Sequence, residues 1–542
     1  MSQTEQKHES VPRCTLCPAL CSVVAVQSGP DAWRSECEQT DQGAMCPRGS
    51  AMGDLLGHRR RILSARRRRG AQTTHVDIPA ALSEIASRVG GTDATILLDG
   101  NLPCEEMAVA AAWCKAWPGA KLCLVIEPAD EQLLLGIEAS GADYLAGADL
   151  SECDGFLIVG DALAANPTCA KGIFDRRKTA TRTPIVVIDP GAGTGSKFAT
   201  HVVDTAVGGE LAALAAVAAA AGLDAAAGDN ASAAAAGKAL AGCKRLAVLI
   251  AAEHARGAAW RQIGYLAGQL AKAKGGGVAA ETFGANALAA VRLGPKLGAI
   301  PLAAAAENTA NWIAVGCDPI GLLGWTGRNI LAAACPLPNA TTDAAEIVLP
   351  VALPWEIGGT YLGGGARSVK TLAMLPPPAG VPTPAQLVES LARAAGIGAC
   401  ERLSAPDPAA RTSPDKPSSA PAPAKAPSPA LLLGRQAAHA GSGALSGYGP
   451  WQAEAIGMPE LRVSVEDARE LGLKAVAIVT VRANGQAAGA RVKIAPELKA
   501  GRLVISEGFA LSRALAPCRA DGGQMAAEPV VVAVSKESAS AE

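Results

Sequence analysis

Between residue 76 and about residue 400 the chain alternates two hydrophobic patterns. In VDIPAALSEIASRV (76–89) and CEEMAVAAAWCKAW (104–117) apolar residues return at helical spacing. In ATILLDG (94–100) and KLCLVI (121–126) they run on continuously, as in strands buried on both faces. Two later stretches repeat this order. GFLIVGDALAANPTCAKGIFDRRKTATRTPIVVIDP (155–190) reads as strand, turn with an Asp, helix and second strand. NWIAVGCDPIGLLGWTGRNILAAACP (311–336) opens the same way and leads into TTDAAEIVLP. Strands alternating with helices predict parallel α/β layers. The small-residue turns Gly160–Asp161 and Gly316–Asp318 are places where such a unit can receive a phosphate or nucleotide.

The pattern changes at both ends. Residues 404–430, SAPDPAARTSPDKPSSAPAPAKAPSPA, lack periodicity and are rich in Pro, Ala and Ser, which predicts an extended, mobile linker. Beyond it come short strands (LRVSV, VAIVTVRA, ARVKIA, RLVIS, PVVVAVS) separated by Gly, Asn-Gly and Pro, the pattern of a small β-barrel. The first 50 residues have little helical periodicity but many cysteines.

Composition adds three limits. The chain has 542 residues, 49% hydrophobic and 18% charged, so it can build several cores. A net charge of −1 argues against a general polyanion binder, and the seven arginines between 59 and 69 have no interleaved aromatics. They read as a solvated or subunit-docking face, with some available to neutralise dinucleotide phosphates. The polar N-terminus has no apolar secretory core, and the alanine-rich run near 210–242 is too broken to span a bilayer. A cytoplasmic protein with no nucleic-acid partner and no transmembrane segment is expected.

With 15 cysteines and no secretory segment, metal ligation and buried free thiols are better readings than disulfides. Cys14, Cys17, Cys21 and Cys46 form C-x2-C-x3-C followed by a remote C-P-R-G. Four thiolates suit zinc or an iron–sulfur cluster. Three crowded ligands and one distant ligand fit a 4Fe–4S cubane better than two zinc knuckles. Cys37 competes with Cys46 for the last position, and the Pro47-Arg48-Gly49 turn favours Cys46. The remaining cysteines read as small buried hydrophobes, and no histidine has ligand spacing.

These residues resemble the molybdenum/tungsten bis(molybdopterin guanine dinucleotide) oxidoreductases, and most closely the formylmethanofuran dehydrogenase B subunit and formate dehydrogenase group. The cysteine motif is similar to the family's proximal cluster motif, with Arg48 at the Lys/Arg between cluster and pterin. IVVIDPGAGTGSKFATH resembles the D-P-R motif, with Gly191 for the arginine. TTDAAEIVLPVALPWEIGGTYLGGGARSV matches a later motif through Glu356, Gly359, Thr360 and Arg367. The stretch from Leu461 to Gly508 resembles the C-terminal double-psi barrel.

The resemblance implies an α/β fold of four parts. These are a cluster domain (1–70), a discontinuous α/β domain (71–120 and 244–403) with a second α/β domain inserted (121–243), and, after the linker at 404–430, a double-psi β-barrel (431–542). It implies a 4Fe–4S cluster, a pterin dinucleotide carrying Mo or W, a one-carbon substrate and other redox subunits as partners. Phosphates would lie at Gly160, Asp161, Gly316 and Asp318, with guanine on Asp189. At the family's metal-ligand position there is no Cys-His pair; Glu127 falls there, as a carboxylate that can ligate hard metal. No proton-transfer histidine is evident beside it. A non-catalytic relay or scaffold is the alternative, as in the complex I large iron–sulfur subunit or a formyltransferase/hydrolase complex.

Overall fold

The computed structural model describes residues 11–29, 32–37, 45–90, 93–226, 228–254, 257, 259–417, 428–434, 457–521 and 523–536. Two parallel sheets form its body. In one, seven strands run in the order Gln72–Val76, Ala65–Arg69, Ala345–Leu349, Ile330–Ala334, Trp312–Val315, Ala94–Asp99 and Ala120–Val125, antiparallel only at the first two. In the other, six parallel strands run His201–Val203, Ile185–Ile188, Gly155–Val159, Leu246–Ile250, Gly277–Ala280 and Asp143–Tyr144. The central strands GFLIV, LAVLI, IVVI and WIAV are buried at every position, as helices on both faces require.

Sheet membership departs from the expected division in one stretch. Leu246–Ile250 and Gly277–Ala280 pair in the six-stranded sheet, while Ala120–Val125 closes the edge of the seven-stranded one. Hydrophobic runs identify strands but carry no information on which neighbour they pair with.

Alanine and glycine let layers approach closely. Helices Pro128–Ser140 and Trp260–Ala273 meet backbone to backbone: a Cβ at Gly136 would lie 2.0 Å from the Arg261 carbonyl oxygen, and one at Gly264 would lie 2.3 Å from that of Leu133. This contact fixes the segments that precede each helix, Glu127 on one side and Glu253–His254 on the other.

A third sheet of seven strands holds the C-terminal region. One stretch, Val530–Val531 and Ala533–Lys536, pairs with both of its edges and curls it towards closure. The expected tether is bound in its first half. Buried Arg292 donates to the Pro408 and Ala409 carbonyls at 3.2 and 3.0 Å, and Thr412 N donates to buried Glu138 at 3.1 Å. Composition missed this because the partners lie on remote helices; residues 418–427 of the linker are outside the described residues. No helix among the described residues is long and apolar enough to cross a membrane.

Candidate functional site

The cysteine loop is held by backbone bonds from three directions. Cys14 N donates to Cys21 O at 2.8 Å, Ala285 N to Thr15 O at 3.2 Å and Gly364 N to Pro18 O at 2.7 Å. Leu20 takes a left-handed φ of 46°, which costs a branched side chain energy, and it is fixed by burial against Ala285 and Tyr361. Cys46 caps the short helix Pro47–Ser50, and Gly49 faces Cys14: a Cβ there would stand 4.0 Å from Cys14 Sγ.

All four motif thiols interact electrostatically with one another around Cys14, whereas Cys37 ends a hairpin strand opposite Val23. Cys14 and Cys17 are buried, Cys21 and Cys46 half-buried. Burial pushes the Cys17 thiol up to about 11, although Arg48 pulls the other way.

Arg48 is the cation of this site. It is 2% exposed, interacts with Cys14, Cys17 and Cys46, and donates through Nη2 to the Ala165 carbonyl at the end of the 160–165 turn. Its Nε has no partner. Arg48 therefore joins the thiols to the six-stranded sheet. Among the described residues no three His, Cys, Asp or Glu side chains close on one point as ligands of a single ion would.

Three of the seven arginines in the run are spent on structure. Arg61 is buried in a two-armed pair with Glu356 at 2.9 Å on each arm, Arg67 pairs with Glu84, and Arg68 bonds the Asp343 carbonyl. None of these three bonds reaches the strand-end turns.

Those turns are not open anion sites. Gly160 N donates to Ile188 O at 3.0 Å, and Asp161 N to the Glu253 carboxylate at 3.3 Å. A Cβ at Gly160 would lie 2.5 Å from the Ala251 carbonyl oxygen, so this glycine, at φ 69°, serves packing between strands. Asp161 accepts from Thr194 N at 3.0 Å. Asp189 accepts from Gly191 N at 2.8 Å and Gly193 N at 2.7 Å. Both aspartates thus shape the 189–195 loop, whose carbonyls at Pro190, Gly191 and Ala192 accept from Arg502 and Arg462 of the third sheet. Burial and the neighbouring Asp189 push Asp161 up to about 6.

At the second turn Gly316 N donates to Ala334 O, and Asp318 accepts from Gly321 N, Thr341 N and Thr341 Oγ1. Free amides at the turns were expected from the glycines alone, and neighbouring strand carbonyls at Gly160 and Gly316, with the Glu253 side chain at Asp161, have taken them.

Glu127 lies at the end of strand Ala120–Val125 and is 3% exposed. It lines a cavity of about 170 Å³ with Thr15, Asp99, Asn101, Gly316 and Asp318, so three expected site residues meet there. Its nearest cation is Arg513, on the helix Ala510–Ala514 of the C-terminal region, at 2.9 Å, and His254 stands 3.8 Å away. Burial raises the Glu127 carboxyl, but Arg513, aided by His254, outweighs burial and holds it at about 2. A histidine therefore does lie beside Glu127. Neither His254 nor Arg513 carries a local motif, and only the tertiary fold brings them to residue 127.

Two groups implied by the family resemblance fare differently. The cysteine site fits a cluster. The turns do not fit a pterin dinucleotide, because their donors are used, carboxylates line them, and about 170 Å³ is below the size of most cofactor sites.

No protein-family model and no curated protein matches this chain. Among solved structures it is similar to acetylene hydratase from Pelobacter acetylenicus, with a TM-score of 0.67 and 11% identity over 97% of this chain and all of the other. This likeness corrects the narrower resemblance read from the motifs: the structural neighbour is neither a formylmethanofuran dehydrogenase nor a formate dehydrogenase. Its name denotes addition of water, which is not a net redox reaction. What the likeness supports is the coarser expectation, a mixed α/β fold of several sheets, shared here with an enzyme.

Proposed function

We propose that this chain is an iron–sulfur redox subunit on a molybdopterin-enzyme fold, with a 4Fe–4S cluster on Cys14, Cys17, Cys21 and Cys46. The observation that carries this reading is the grouping of four thiols around Cys14, three of which interact with the buried guanidinium of Arg48. A cluster there would supply one-electron chemistry. The chain's own residues bury it, frame its loop from residues 284–285 and 364, and place a fixed positive charge beside the thiolates. An electron relay needs a donor and an acceptor, so other redox subunits are its partners.

Anaerobically purified protein should contain about four irons per chain and give a low-temperature paramagnetic signal on reduction. Cys46→Ala should abolish the signal and Cys37→Ala should leave it. The opposite result for these two variants would move the fourth ligand to Cys37. Absence of iron from the parent would end the reading.

A second reading, a pterin-dependent enzyme, draws support from the shared fold. Molybdenum or tungsten near one per chain would favour it; iron alone favours the relay.

A further inference from the structure

We propose that Arg513 is a built-in cation standing where a metal would have to sit beside Glu127, so that this chain takes no metal there. The site is separate from the cysteines, and the inference does not depend on the cluster. Arg513 is wholly buried. Its Nη1 lies 2.9 Å from Glu127, 2.8 Å from the Leu322 carbonyl and 3.1 Å from His254 Nδ1, and its Nη2 donates to Glu507.

His254 is fixed in turn. Its Nε2–H donates to the Ala516 carbonyl at 2.6 Å, which sets the ring with Nδ1 towards Arg513 and Glu127. Cys518 Sγ stands 3.9 Å from the same Nδ1. A carboxylate, an imidazole and a thiol thus surround the guanidinium, donor types that suit a transition metal, but with the arginine between them they do not close on one point as ligands of a single ion would.

Charge and space agree. Arg513 lies between two buried carboxylates, Glu127 and Glu507, and neutralises one unit of their charge. Admitting a dication would mean expelling a buried, four-partnered arginine and desolvating its replacement, a large penalty in a dry interior. The remaining space on the His254–Cys518 side is about 10 Å³, room for a single water. Three stretches that follow strand Arg502–Ser506 of the third sheet, Glu507, Arg513 on the helix Ala510–Ala514, and Ala516–Cys518, lie beside Glu127 and His254. The same arginine therefore docks the C-terminal region onto the body.

The test uses the full chain with its cluster loaded and Co2+ as the probe. The parent should bind no Co2+ outside the cysteine site. Arg513→Met should expose the three donors and bind one Co2+ per chain with a thiolate-to-cobalt absorption band, lost on adding Cys518→Ser. A folded Arg513→Met protein without the band would overturn the proposal. So would Co2+, molybdenum or tungsten bound by the parent and lost in Glu127→Gln. If Arg513→Met does not fold, Glu127→Gln decides alone: a lower melting temperature with unchanged metal content supports a structural ion pair, and metal loss at unchanged melting temperature refutes it. Iron content and the paramagnetic signal report on the cluster separately, so failure of the relay reading is distinguishable.

Discussion

Replacing Arg48 with Met should lower the midpoint potential of the cluster. Reduction adds one negative charge, and a nearby fixed positive charge favours it. Arg48 is 2% exposed and is coupled to three of the four thiols, so water screens it poorly. With an effective dielectric of about 20 and a separation of about 7 Å, the lost attraction is about 2.4 kcal/mol. At 59 mV per tenfold change for one electron, that corresponds to a fall of about 100 mV. Arg48→Lys keeps the charge and should retain most of the potential.

The assay is a redox titration followed by the paramagnetic signal, normalised to iron per chain. Normalisation matters because Arg48 also bonds the Ala165 carbonyl and its loss loosens the loop. A fully iron-loaded Met variant with an unchanged potential, or one shifted upward, would refute the electrostatic role.

Arg292→Met should strand buried Glu138 at a cost of about 3–5 kcal/mol and release residues 408–412, read as a lower melting temperature and faster tryptic cleavage at Arg411; unchanged protection there would contradict the docking. Stability should also rise as pH falls from 7.5 towards 5. Asp161, raised to about 6 by burial and Asp189, is charged in the fold at neutral pH at a penalty, and regains stability as it protonates before the unfolded chain does, between about 6 and 3.8. Glu127 acts oppositely: held at about 2, it contributes stability above its ordinary 4.5 that is lost as pH falls from there towards 2. Thermal melts should therefore peak near pH 5, and Asp161→Asn should flatten the rise above that pH.

Local patterns carried much of the fold. The helix at Ile78–Val89, the strands Ala94–Asp99, Gly155–Val159 and Ile185–Ile188, and the C-terminal strands Ile478–Ala483 and Arg502–Ser506 all fall where hydrophobic spacing put them. Such signals arise within about ten residues. The cysteine motif was legible for the same reason, with three of its four cysteines in one loop.

What escaped the sequence was pairing between distant segments. Runs such as LAVLI look alike, so nothing local assigns Leu246–Ile250 to the six-stranded sheet. Gly160 looked permissive for a phosphate but meets the Ala251 carbonyl. Glu127 looked like a lone strand-end carboxylate, because the arginine that neutralises it comes 386 positions later. The Pro/Ala-rich linker had the composition of a free tether, yet Arg292 and Glu138 hold its first half.

The frame of the cysteine loop has a consequence for biosynthesis. Val11–Pro12 pairs with Thr371–Leu372, Pro18 accepts from Gly364, and Arg61 is neutralised by Glu356. Cys14, Cys17 and Cys21 leave the ribosome first, but the walls that bury them are made roughly 350 residues later, about 20 to 70 s at ordinary elongation rates. During that interval the thiols are exposed and without their scaffold. For the cluster proposed above, loading iron and sulfide is thus a late event, performed on a nearly finished chain, and the cysteines must stay reduced until the partner strand arrives.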